Sequence, residues 1–136
     1  MATKITKTTK DTNGKVPRLA KNAKLLKVIV EAIQAKKGEN ILSLDLRDIP
    51  EAVADFFIVC EASSTTQVKA IGDFIEVEVK EKTGEAPFHS EGRQSLNWVL
   101  VDYVNVVIHI MLPETRKLYS LEELWCDAPE QKFDHY

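Results

Sequence analysis

The side-chain types that do chemistry are all present in this sequence, but their spacing falls short of what catalysis needs. A catalytic site requires a nucleophile beside a base, or carboxylates that converge. His89, His109 and His135 lie far apart. Only His89-Ser90-Glu91 has ligand-like spacing, and no third residue completes a zinc site. Asp45 and Asp48 are three positions apart; on a strand that sends them to opposite faces, where they cannot share a metal. The five glycines are scattered and read as caps and turns, not as a phosphate loop. Ser63-Ser64 precede a helix start whose amides could receive a phosphate, yet helix capping accounts for them fully. Cys60 and Cys126 are isolated; Cys60 sits in an apolar run and reads as a small buried hydrophobe. No catalytic residue, cofactor or metal is expected.

Recognition is the chemistry that remains, and one stretch carries it. Asn97 to Leu112 reads NWVLVDYVNVVIHIML, a β-hairpin pattern. With its turn at Val104-Asn105, Tyr103 faces Val106 and Asp102 faces Val107. One face then carries Val99, Val101, Tyr103, Val106, Ile108 and Ile110, an apolar set suited to lying under helices. The other carries Trp98, Leu100, Asp102, Val107, His109 and Met111. That face is too apolar for plain exposure and too polar for a dry core. Either a second helix layer covers it or another macromolecule docks there, with Trp98 as anchor.

The elements that must hold this hairpin follow from periodicity. Asn22 to Lys37 is a helix with a stripe of Leu25, Ile29, Ala32 and Ile33, stopped by Gly38. Ile41 to Ile49 alternates as a strand with Leu42, Leu44 and Leu46 inward. Phe56 to Cys60 is apolar throughout, an inner strand. Ser64-Thr65-Thr66-Gln67 has capping-box spacing and opens a helix striped by Val68, Ile71, Ile75 and Val79, ended at Gly84. Pro87 to Glu91 is extended. Pro113 starts a third helix, and Ser120-Leu121-Glu122-Glu123 is a second capping box before Leu124 and Trp125. The expected architecture is a single α/β domain over residues 22–129, with a mixed five-stranded sheet and helices mainly on one face. A disordered basic tail (1–21) and a polar tail (130–136) flank it.

With 136 residues the chain is one domain long. No apolar run is long enough to span a membrane and no signal core follows Met1, so a reducing, cytoplasmic location is expected. The charge is split. Up to Lys27 there are eight basic residues and one acid, +7; the remaining 10 basic and 20 acidic residues give −10, for a total of −3. An acidic body does not grip phosphates, so no sequence-specific nucleic-acid contact is expected, whereas a basic protein partner suits it.

The motifs WVLVDY and VVIHIMLPETRKLYSLEELW resemble the signature of the ribosomal silencing factor (Iojap-like) family. The match extends upstream to LLKVIVEAIQAKKGENILSLDLRDI, ADFFIVCEASSTTQVKAI and Glu91-Gly92, covering about Leu25 to Pro129. The resemblance implies a fold related to nucleotidyltransferases without their catalytic acids. It implies a non-enzymatic translational repressor that binds protein L-fourteen of the large ribosomal subunit and obstructs joining of the small one. A homodimer in isolation is also implied; a nucleotidyltransferase-like enzyme and a dimeric scaffold off the ribosome are the competing classes. By the same resemblance, partner contacts fall on Trp98, Asp102, Tyr103, His109, Arg116 and Tyr119; strand parity adds Leu100 and Met111 from the mixed face. Two positions depart from the family pattern. Val104 stands where the family usually has Gly, and Leu112 where it often has His. Val resists positive φ, which would pass the turn to Asn105, shift the register by one and exchange the two faces.

Overall fold

The apolar periods of the sequence sort into ten elements in a computed structural model that describes residues 18–133. They are α1 (Arg18–Ala35), β1 (Glu39–Asp45), β2 (Phe56–Glu61), α2 (Thr65–Thr83), β3 (His89–Glu91), β4 (Trp98–Asp102), β5 (Val106–Met111), α3 (Pro113–Tyr119), α4 (Leu121–Leu124) and β6 (Glu130–Phe133). The strands form one mixed sheet in the order β3-β4-β5-β2-β1-β6. Only β2 and β5 run parallel; every other neighbouring pair is antiparallel.

α1 and α2 lie on one face. Their stripes, Leu25, Ile29, Ala32 and Ile33 with Val68, Ile71, Ile75 and Val79, close over Ile58, Val99, Val101, Ile108 and Ile110. The central strand β2 is buried from Phe56 to Cys60, as a strand covered on both sides must be. Burial pushes the Cys60 thiol up to about 12, so it stays protonated and inert. On the opposite face Leu42, Leu44, Leu46, Phe57 and Val107 make a smaller core capped by Ala128 and Trp125. No helix among the described residues is long and apolar enough to cross a membrane.

Several expectations need correction. The sheet has six strands, not five: Glu130–Phe133, read as a tail, pairs with β1 from Leu44 outward to Ile41. The first helix begins at Arg18, inside the segment read as a basic tail; residues 1–17 lie outside the described part. β1 ends at Asp45, because Leu46 to Ile49 form a turn in which the Ile49 amide donates to the Leu46 carbonyl at 3.1 Å. Gly38 does not supply the left-handed residue of the α1 stop; Lys37 does, at φ 67°. Gly38 is needed for space, since a Cβ there would stand 2.3 Å from Ile33 Cγ2. Ser64 caps α2 as expected, its hydroxyl accepting from the Gln67 amide at 3.2 Å. Ser120 does not cap α4: it is left-handed, and its hydroxyl turns back to donate to the Lys117 carbonyl at 3.0 Å.

At the hairpin the register stands unshifted. Asp102 pairs with Val107 and the Tyr103 amide donates to the Val106 carbonyl at 2.9 Å. Val104 itself takes the positive φ, 73°. The Asn105 amide bonds back to the Tyr103 carbonyl at 2.9 Å, a γ-turn around Val104. The Asp102 carboxylate receives the Val104 amide at 2.7 Å and holds that turn in place.

Candidate docking surface

Strand parity puts Trp98, Leu100 and Asp102 of β4 beside Met111, His109 and Val107 of β5, on the face away from α1 and α2. That face is covered in part. Leu121 of α4 closes on Met111 and Val59, with Trp98 packed against the group. Trp125 and Ala128 close on Val107 and Phe57, with Leu100 packed alongside. Trp98, Leu100 and Asp102 are left partly exposed.

An aromatic ladder runs across the surface. The Tyr119 and Trp98 rings are 4.9 Å apart and tilted by 48°. Trp98 donates its indole N–H to His109 Nδ1 at 3.1 Å. The His109 ring stands edge-on to Phe57 at 4.6 Å, and Phe57 edge-on to Trp125 at 6.0 Å. An indole nitrogen can only donate, so His109 Nδ1 must be the acceptor and Nε2 must carry the ring proton. His109 is 4% exposed, and its Nε2 has no hydrogen-bond partner. Burial without a counter-charge pulls its pKa down to about 4, which keeps the ring neutral.

The expected contact residues divide into three groups. Trp98, Leu100, Asp102 and Tyr119 reach the surface, Tyr119 most openly at 55% exposure. His109, Met111 and Tyr103 are buried and cannot touch a partner as they stand. Tyr103 belongs to the helix-covered face, as its parity dictates. Its hydroxyl is enclosed without a partner, and desolvation raises its pKa. Arg116, with its side chain 11% exposed, is a brace. Its guanidinium donates to the Asn40 carbonyl at 2.6 Å, to Glu61 at 3.3 Å and to Glu122 at 2.9 Å. It thereby ties α3 to the ends of β1 and β2 and to the start of α4. Two surface residues were not singled out from the sequence as contacts: Leu118 and Leu124, 76% and 68% exposed, flank Tyr119 in the chain on α3 and α4. Their signal was present, as large apolar residues in two helices too short to bury them.

His89 lies 3.0 Å from Glu91 and 3.5 Å from Asp102. No group of three or more His, Cys, Asp or Glu among the described residues could hold a metal ion.

The chain is similar to known proteins both in sequence and in structure. The model of the family described as "Ribosomal silencing factor during starvation" matches residues 19–136. A ribosomal silencing factor of Bacillus subtilis is 39% identical over 110 residues, 81% of this chain and 92% of the relative. That of Halalkalibacterium halodurans is 37% identical over 108 residues, covering 79% and 91%. A crystal structure of a Chromobacterium violaceum protein superposes with a TM-score of 0.72 at 36% identity, covering 76% of this chain and 85% of that one.

Proposed function

The chain belongs to the ribosomal silencing factor family, and from that membership we propose that it represses translation by docking on the large ribosomal subunit through the Trp98 face. In this reading the partner is protein L-fourteen, and the bound domain stands where the small subunit would join. The effect comes from occupancy, with no covalent step and no cofactor. One observation supports this reading: Trp98 lies partly exposed in an aromatic ladder, with the Tyr119 ring tilted against it at 4.9 Å. Trp anchors in such settings dominate interface energies. The acidic body, −10 beyond Lys27, adds steering toward a basic ribosomal protein and makes association salt-dependent.

The test is co-sedimentation of Trp98→Ala with purified large subunits. Loss of a hot-spot anchor removes about 2 kcal/mol or more, roughly thirtyfold in affinity. The variant should still melt cooperatively, at a lower temperature because it loses packing on Met111 and Leu121, and should lose co-sedimentation. Wild-type binding by a folded Trp98→Ala protein would remove this face from consideration. Calorimetry with a nucleoside triphosphate and magnesium tests the enzymatic alternative, which requires tight nucleotide binding. A gradient profile without ribosomes reports whether the same chain pairs with a second copy.

A further inference from the structure

Trp98 has one polar atom, and that atom faces inward. Its indole N–H is engaged by His109 Nδ1 at 3.1 Å, on a strand neighbour that is itself buried. His109 lies diagonally across the β4–β5 ladder, opposite Leu100, while Met111 stands directly opposite Trp98. The imidazole is wedged: the Phe57 ring meets it at 4.6 Å and 66°. A wedged acceptor fixes the direction of the donor it receives. The Tyr119 ring lies 4.9 Å from the indole, tilted by 48°.

We infer that His109 is the positioning residue of the docking surface, holding the Trp98 indole with its N–H turned into the protein so that the partner meets only carbon ring surface. The inference rests on the docking role proposed above. It carries a specificity consequence. The group that covers Trp98 on the partner has no use for a hydrogen-bond acceptor there. It is an aliphatic stem or a cation lying over the ring, the second being what a basic partner offers. It also accounts for a histidine in an otherwise apolar strand: its Nδ1 receives the indole N–H while the ring packs edge-on against Phe57.

The experiment has three arms. In the wild-type protein, nitrogen shifts of His109 report the tautomer. Nδ1 bare and Nε2 protonated is expected, and the opposite tautomer overturns the inference whatever the variants do. His109→Phe keeps a ring against Phe57 and removes the acceptor. Hydrogen exchange of the Trp98 indole N–H should speed at least tenfold, and affinity for large subunits should fall at least tenfold in a protein that still melts cooperatively. His109→Asn places Oδ1 where Nδ1 stood and should restore both. Unchanged indole exchange, affinity equal to or above wild type in His109→Phe, or a folded His109→Asn that rescues neither property would each overturn the inference. Tighter binding in His109→Phe would mean that the partner uses the freed N–H. Trp98→Ala in parallel separates the two readings. If it abolishes binding while His109→Phe does not, docking stands and positioning fails. If neither variant affects binding, the docking surface lies elsewhere.

Discussion

The two faces of the β4–β5 hairpin alternate residue by residue along the same strands and are held by different physics. On the helix-covered face, Val99, Val101, Val106, Ile108 and Ile110 are fully enclosed and make no polar demand. Their only requirement is volume, since interiors are close-packed and each lost methylene leaves a gap. On the opposite face, Trp98, His109 and Phe57 meet at ring edges, and a single hydrogen bond sets their geometry. Here direction matters more than volume. The first face stabilises the fold; the second keeps an aromatic surface in a fixed pose at the edge of solvent. A sheet two residues deep in sequence thus separates stability from recognition by parity alone.

Substitutions on the two faces should therefore separate stability from binding, and the largest effect falls on the dry one. Ile108→Ala removes most of a fully enclosed side chain between α1, α2 and the sheet. The expected cost is about 2–5 kcal/mol, toward the upper end because the surroundings are rigid strands and helices. Leu100→Ala, one position across the ladder from Ile108's strand neighbour and only partly buried, should cost about 1 kcal/mol by area lost. Urea titration of both variants checks the contrast. Equal losses would mean that the docking face is as much a structural core as the other.

Acid should act through the docking face and leave the dry one untouched. His109 titrates near 6.5 when unfolded and at about 4 when folded, because burial penalises the imidazolium. The folded state thus refuses a proton that the unfolded state accepts. The stability contributed is complete above about pH 6.5, declines between about 6.5 and 4, and levels off below. From pH 7 to 4 the loss from this group is about 3 kcal/mol. His109→Phe should flatten that part of the pH profile relative to wild type. The comparison cancels the carboxylates common to both proteins, including Asp73, which Lys69 holds below its usual range at an exposed site. An unaltered slope in His109→Phe would show that the imidazole is already wet or paired with charge.

What the sequence made legible was whatever a local period encodes. The 3.6-residue stripe of Val68, Ile71, Ile75 and Val79 marked α2 as a helix, and the alternation of Val99, Val101, Ile108 and Ile110 identified the dry face. Long-range pairing was not legible. Arg116 read as a contact through its family match alone; its bracing role was hidden because its acceptors, Asn40 and Glu61, are 76 and 55 positions away. β6 read as a tail because strand pairing uses backbone groups, which EQKF possesses without any apolar alternation; only Phe133, packed against the main core, signals it. Burial of His109 and Met111 was open as one of two readings but not decidable from the sequence. It depends on Leu121 and Trp125 folding back from a segment whose helices were expected but whose direction was not.

The smallest effect expected lies where the two faces meet, at the hairpin tip. Val104 is β-branched, exposed, and held at φ 73°, a region that glycine enters without steric cost. Two bonds hold it there: its own amide to Asp102, and the Asn105 amide to Tyr103 across it. Both bonds use backbone N–H groups and survive any side-chain change at Val104. Val104→Gly therefore removes the strain and keeps the turn. The relief is about 1–2 kcal/mol, offset by about 0.5–1 kcal/mol for the greater freedom of glycine in the unfolded chain. A net gain of a few tenths to about 1 kcal/mol is expected in denaturant titration, with large-subunit binding unaltered if only the Trp98 end of the hairpin docks. Weaker binding from a more stable protein would instead mean that the tip is displayed for contact, and that the docking surface runs the full length of β4.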